Sequence, residues 1–359
     1  MKKIFSWLTV SFLFIGIIQP TVVINAEDNS EETTAEVQNN EKYPVDPTKQ
    51  VYVDAEWVKD VLEGNSTIEK YVLAEVTWGE ADASPDYLKK HIPGAIHINT
   101  DSIEEGPIWN LKSADAIEKA LLNYGVDKDT TLILYGPDTG VDRVAYAALY
   151  TGVESVKILD GGLAIWEAAG FETEEGKVEP QTVEEFGVEV PANPDFLLSL
   201  EDTVDALANN DNFRLVSLRS ENEWLGIESG YSYIPKAGEP KGAVWGRPLL
   251  KGSGQANISD MEDYKNEDGT NKNFDEIVAF WEKEGFNVDN DLAFYCGTGW
   301  RSSLPFLMMY ERGLEATMFD GGWNEWQMND DLEVQIGDPK SDSVEYKTVG
   351  DLDAGKETE

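Results

Sequence analysis

Late in the 359-residue chain, Leu292-Ala293-Phe294-Tyr295 runs into Cys296-Gly297-Thr298-Gly299-Trp300-Arg301-Ser302-Ser303. Cys296 is the single cysteine of the sequence. A strand that delivers a thiol into a glycine-rich turn at a helix start surrounds the sulfur with converging backbone N–H groups, which favour the thiolate. Glycines one and three positions after the cysteine let the chain curl into an anion-binding nest, and the helix dipole adds to it. Arg301 brings a formal positive charge to the same point. The chemistry expected is nucleophilic attack by Cys296 with Arg301 as its electrostatic partner. Gly297, Thr298, Gly299 and Trp300 are the candidate substrate-binding residues of the loop, and Arg219 and Arg247 the candidates outside it. Ser302 and Ser303 read as helix N-caps, with Pro305 in the first turn. Glu223 is a candidate to orient Arg301. His91 and His97 are the only histidines; they read as turn and packing residues, too few and too ill-spaced for a metal, and no cofactor is expected.

The elements that must hold this loop follow from hydrophobic patterning. Tyr71–Val76, Thr131–Tyr135, Ser155–Leu159, Phe213–Leu218 and Leu292–Tyr295 read as buried strands, alternating with amphipathic helices at Ala55–Leu62, Ala114–Tyr124, Arg143–Tyr150, Leu200–Leu207 and Phe274–Lys283. Such alternation implies an α/β fold with parallel sheets covered by helices on both faces. Gly125/Gly285, Tyr135/Tyr295, Tyr150/Tyr310, Asp160/Asp320 and Trp166/Trp326 are each 160 positions apart (295 − 135, and likewise for the others), and a glycine pair follows both aspartates. The chain is therefore a tandem duplication. At this offset Gly136 stands for Cys296 and Val141 for Arg301, so the first copy has neither nucleophile nor cation and at most shapes or covers the site.

Residues 1–26, with Met1-Lys2-Lys3, an apolar run from Ile4 to Val23 and Ala26 before an acidic turn, read as a signal peptide; the alternative is an uncleaved anchor. Residues 27–47 read as a disordered acidic spacer, 48–175 as the first domain, 176–193 as a linker, 194–332 as the catalytic domain and 333–359 as an acidic tail, mobile from Gly337. Export places the protein outside the cell or in its envelope, where a lone unpaired thiol is a liability unless it is used. With 28 Lys+Arg against 69 Asp+Glu, a net charge of −41, the surface repels nucleic acid and anionic lipid. No membrane association is expected after cleavage, and a monomer is expected.

The cysteine loop, His91-Ile92-Pro93-Gly94-Ala95, Leu215-Val216-Ser217-Leu218-Arg219-Ser220 and Asp320-Gly321-Gly322-Trp323, in this order and with one loop blank, resemble the rhodanese family of sulfurtransferases in its tandem-domain, exported bacterial form. The resemblance spans about residues 50–332. It implies a Cys296 thiolate that takes the outer sulfur of thiosulfate, or the sulfur of a mercaptopyruvate-like donor, as a persulfide. A thiol, a thioredoxin-like protein or cyanide then accepts it. Protein tyrosine phosphatases and rhodanese-like relatives place the arginine six positions after the cysteine; here it is five, a narrower cradle that favours a sulfane sulfur over a phosphoryl group. The chain departs from the family at Thr298, where thiosulfate-type members often carry a basic residue, and at Ser217 and Glu223, where the family has an aspartate and an arginine. For the mercaptopyruvate branch Asp101 matches an aspartate, but Trp109 or Asn110 lies where its histidine is expected. The donor subtype stays open. A partner-binding module and a redox-sensing thiol protein are the rival readings.

Overall fold

The computed structural model describes residues 41–249 and 261–353; the signal-peptide reading, residues 27–40 of the spacer and residues 354–359 of the tail lie outside the described residues. The first repeat is a five-stranded parallel sheet of β1 (Tyr52–Val53), β2 (Tyr71–Thr77), β3 (Ile96–Asn99), β4 (Thr131–Tyr135) and β5 (Ser155–Leu159), in the order β1-β5-β4-β2-β3. The second is built from β6 (Leu197–Leu198), β7 (Phe213–Ser217), β8 (Val244–Trp245), β9 (Asp291–Tyr295) and β10 (Thr317–Phe319), in the order β6-β10-β9-β7-β8. The orders match strand for strand, as a duplication requires. All five residues of β4 are buried, which is why its run is continuously apolar rather than alternating. Polar caps start the helices between strands: Asp54 accepts from the Trp57 N–H, Ser113 from Ala116 and Ser199 from Asp202.

The helix after the blank loop, α1 (Gly140–Thr151), packs on the helix after the cysteine loop, α3 (Trp300–Tyr310), while α2 (Phe274–Glu284) covers the second sheet. Tyr146 and Phe306, equivalent at the 160-residue offset, meet edge-to-face with centroids 4.8 Å apart. The relation extends further. Asp160 accepts from the Asn271 N–H at 3.0 Å, and its equivalent Asp320 accepts from the Leu111 N–H at 2.7 Å; Leu111 and Asn271 are themselves 160 apart (271 − 111). Each repeat thus caps the carboxyl edge of the other's sheet by a pseudo-two-fold operation.

Two segment readings are corrected. Residues 41–47 of the acidic spacer are seated on the second repeat: the Lys42 N–H donates to Asp275, the Tyr43 ring packs on Phe274, Arg312 donates to the Tyr43 carbonyl, and the Asp46 N–H donates to the Glu311 carbonyl. Residues 333–353 of the tail are folded as an antiparallel pair, Glu333–Ile336 with Glu345–Thr348, and the first strand also pairs with Glu239–Pro240. Burial of Val334 and Gln335 explains why this polar stretch is held in place. The 176–193 segment runs along the first repeat, anchored by buried Phe186 and by the Val183 N–H on the Leu122 carbonyl.

Candidate active site

β9 ends at Tyr295, and Cys296 follows at the carboxyl edge of the second sheet, where α/β folds place their ligands. The thiol is fully buried. The Gly299 N–H donates to Sγ at 3.2 Å, and the Thr298 and Ser302 N–H groups also face the sulfur. Carbonyls of the loop are held away from it: Trp323 N–H donates to the Cys296 oxygen at 2.8 Å and Asn324 N–H to that of Gly297 at 3.1 Å. The donors therefore face the sulfur and the acceptors face outward. Burial pushes the Cys296 pKa up, but the Arg301 charge and the three N–H groups outweigh it, and the net shift is downward.

The glycines have distinct causes. Gly299 adopts φ +95°, the left-handed region, and a Cβ there would lie 2.5 Å from the Arg143 guanidinium. A Cβ on Gly297 would lie 2.2 Å from the Tyr231 ring. Arginine and tyrosine thus press on the loop from two sides. Ser302 and Ser303 are not caps. They lie inside α3 and donate back to the Gly299 carbonyl at 3.0 and 2.8 Å, which closes the first turn; Gly299 itself is the cap residue.

Arg301 is buried, and its two terminal nitrogens bind Glu223 as a bidentate pair at 2.8 and 2.9 Å, with the Tyr231 hydroxyl accepting a further bond at 2.9 Å. Its charge acts on the sulfur and lowers the thiol pKa, while its Nε is buried without a hydrogen-bond partner. Glu223 is the orienter of Arg301. Burial pushes its pKa up, but Arg301 and Arg219 pull it down to about 2.

Arg219 is corrected from the substrate-binding set. Its nitrogens go to Glu223, Glu239 and the carbonyls of Gly238 and Ser229, with no exposed surface left. It is the central cation of a buried chain running from Arg301 through Glu223 and Arg219 to Glu239, which meets the Tyr295 hydroxyl. Burial holds Glu239 up at about 7 against the pull of Arg219. Arg247, at φ +60°, sets its guanidinium over the Phe280 ring of α2, 5.3 Å from the centroid. Trp300 points its indole N–H at Glu104 of the first repeat, 2.7 Å away, so its polar edge serves the junction between repeats. Thr298 stays in the loop, its side chain bonded to Tyr233.

Patterning does not reveal the residues that surround the loop from a distance. Glu104 binds Arg143 at 3.1 Å, and Arg143 binds Asp320 at 2.6 Å. The Arg143 Nη2 also donates to the Trp109 carbonyl. Burial raises Glu104 to about 7 although Arg143 and Trp300 oppose it. Tyr231, Tyr233 and Trp109 form an aromatic layer, with Tyr231 and Tyr233 centroids 5.5 Å apart and Trp109 6.4 Å from Tyr233. Tyr231-Ser232-Tyr233, directly after Gly230 and two positions before Pro235, is the one signal visible in the sequence. Asp101 is held by the Trp78 indole, and Asn110 reaches Glu325 at 3.5 Å. His91 and His97 are packing residues, bonded to the Tyr87 carbonyl and to Thr77 and Ser84.

A model of the rhodanese-like domain matches residues 54–169 and again 200–329. The chain is 38% identical over 301 residues to thiosulfate sulfurtransferase YnjE of Escherichia coli (strain K12), covering 80% of this chain and 66% of that protein, so it spans just under two thirds of that relative's length. It is 25% identical to the 3-mercaptopyruvate sulfurtransferase of the same organism, covering 79% of this chain and 97% of that protein. Among solved structures, an anaerobic ergothioneine biosynthesis enzyme from Chlorobium limicola, in complex with trimethyl histidine, superposes with a TM-score of 0.75 at 32% identity, covering 82% of this chain and 73% of that one. Two matched domains of the same topology, one loop emptied and one carrying a cysteine in an N–H nest, agree with these likenesses. The chain belongs to the family of rhodanese-like domain proteins, in tandem form.

Proposed function

We propose that the protein is a thiosulfate sulfurtransferase working through a Cys296 persulfide. The observation that carries this reading is the buried sulfur ringed by the N–H groups of Thr298, Gly299 and Ser302 and biased toward thiolate by Arg301. The thiolate attacks the outer sulfur of thiosulfate; a sulfur–sulfur bond forms at Cys296, the donor's own sulfur–sulfur bond breaks, and sulfite leaves with the electron pair. The same N–H groups hold the terminal persulfide anion. An acceptor thiolate or cyanide then attacks that terminal sulfur and Cys296 departs as thiolate. The unpartnered Arg301 Nε–H is a donor available to the incoming anion. With a mercaptopyruvate-like donor the thiolate attacks its sulfur, the carbon–sulfur bond breaks in place of a sulfur–sulfur bond, and pyruvate leaves as its enolate, which takes up a proton. The acceptor is a small thiol or a thioredoxin-like protein, the protein acts outside the cell or in its envelope, and it acts as a monomer.

Cys296→Ser tests this directly. Thiosulfate:cyanide activity is expected to vanish, and treatment of the native protein with thiosulfate is expected to add about 32 Da, one sulfur on the thiolate. Full activity of the serine variant sinks the reading. A second reading concerns the acceptor. The aromatic layer of Trp109, Tyr231 and Tyr233 beside the loop, with the likeness to the Chlorobium limicola enzyme, supports a betaine such as trimethyl histidine taking the sulfur. Mass detection of a thiolated trimethyl histidine after incubation with persulfidated protein separates that acceptor from thiols.

A further inference from the structure

The first repeat keeps a pocket where the second keeps its cysteine. A cavity of about 870 Å³ opens at the carboxyl edge of the first sheet, against Gly136, Asp138 and Asp142, and the second repeat covers it with Met261, Glu262 and Lys265. The pseudo-two-fold relation makes this the counterpart of the Cys296 site. Asp160 and Asn271 bridge the repeats here as Asp320 and Leu111 bridge them there.

What differs is the sign of the charge. At the 160-residue offset Asp138 replaces Thr298, Asp142 replaces Ser302 and Val141 replaces Arg301. In strand register Glu75 lies opposite Tyr135 as Ser217 lies opposite Tyr295, so a third carboxylate replaces a third hydroxyl. One cation has been lost and three carboxylates gained at equivalent places. Lys265 lies near enough to Asp142 and Asp160 to interact with both, and Lys90 at the rim is bound to Glu167. The wall also has polar atoms with unspent capacity. Thr139 is 3% exposed and its Oγ1 has no hydrogen-bond partner; Glu75 is 6% exposed and, although its carboxyl interacts with the Tyr135 hydroxyl, its Oε2 has none. Leaving such groups unpaired costs free energy that a ligand bringing N–H or cationic groups recovers.

We propose that the cysteine-free repeat is a second ligand site, and that it takes a small organic cation such as an amine, a guanidine or a quaternary ammonium. The volume is that of a small-molecule pocket and not of a bare ion. Among the described residues no group of three or more His, Cys, Asp or Glu is placed to hold a metal. Tyr52, Trp78 and Tyr135 give the wall aromatic surface, which suits an organic cation. The site is independent of Cys296 chemistry.

Calorimetric titration of the full chain with agmatine and with choline, in about 150 mM salt to suppress loose attraction to the acidic surface, tests this, with glutarate as the anionic control. At least one cation is expected to bind with Kd below about 1 mM, and Cys296→Ser is expected to bind it equally. Glu75→Gln and Asp142→Asn are expected to weaken it by about tenfold or more. Ala164→Trp, which fills the cavity from an exposed rim position, is expected to abolish it without disturbing the fold. The proposal is overturned if neither cation binds at about 10 mM, if glutarate binds as well, or if Ala164→Trp and both carboxamide variants keep the native Kd.

Discussion

Glu223→Gln perturbs the loop through its least visible support. The native carboxylate accepts from Arg301 at 2.8 and 2.9 Å, from Arg219 at 3.2 Å and from the Ser220 N–H at 2.8 Å, all out of water. A carboxyl pKa held at about 2 against an ordinary 4.5 corresponds to about 3 kcal/mol favouring the charged form. Glutamine keeps the shape, loses the charge and turns one amide N–H₂ toward a guanidinium that has no acceptor to spare. Arg219 then keeps Glu239, and Arg301 keeps only the Tyr231 hydroxyl. Breaking one member of a buried ion pair typically costs about 3–5 kcal/mol, and denaturant unfolding of the variant should show a loss of that size. A second effect has the opposite sign for chemistry. With its counter-ion gone, Arg301 acts more strongly on the sulfur, so the pH midpoint for alkylation of Cys296 by iodoacetamide should fall. Cys296 is the sole cysteine, so the alkylation rate reports it alone. A loss under about 1 kcal/mol together with an unmoved alkylation midpoint would refute the argument that Glu223 both holds and damps Arg301.

Three further outcomes follow from the same geometry. Stability should peak near pH 4.5: the contribution of Glu223, whose pKa is depressed, is present above about 4.5 and lost as pH falls toward about 2, whereas Glu104 and Glu239, raised from 4.5 to about 7, contribute fully below about 4.5 and lose it as pH rises through 7. Denaturation midpoints across pH 3 to 9 check this, and a Glu104→Gln curve that falls as steeply between about pH 5 and 8 as the native one would contradict it. Gly297→Ala should cut sulfur transfer at least about tenfold (roughly 1.4 kcal/mol in the barrier) with the fold retained, because the new methyl meets the Tyr231 ring at 2.2 Å; native kinetics would show that the ring yields freely. Tyr43→Ala should lower stability by about 1–2 kcal/mol through lost apolar burial on Phe274; an unchanged melting curve would mean the 41–47 segment adds nothing.

The parts of the site legible in the sequence are those encoded by short spacing. A cysteine, two glycines and an arginine lie within six residues at the end of a strand, and the constant offset exposes the blank copy from the sequence alone. The strand interiors were equally plain because buried parallel strands are continuous apolar runs. The misreadings share one cause: a charged side chain does not announce its partner. Arg219 reads as an anion binder because nothing local shows that Glu239, 20 positions on, has already claimed it. Glu104, Arg143 and Trp109 come from the other repeat, more than 150 positions before Cys296, and no periodicity links them to it. The 333–353 pair was missed because its strands are only four residues long and mostly polar, and the pairing with Glu239–Pro240 that stabilises them lies about 95 positions back.

The contact of Tyr146 with Phe306 on facing helices is the geometry of two identical subunits closed on a two-fold axis. In a true homodimer every mutation lands twice, so a loop that acquires a cation and a thiol acquires them on both sides. Joining the two copies in one chain removes that constraint. Each can then drift toward an opposite charge while the shared helix pair stays fixed, and the symmetric interface becomes the fixed reference against which the two pockets diverge. It also means the reactive half is not a detachable module: cut free, α3 would present Phe306 and the aliphatic face behind Cys296 to water.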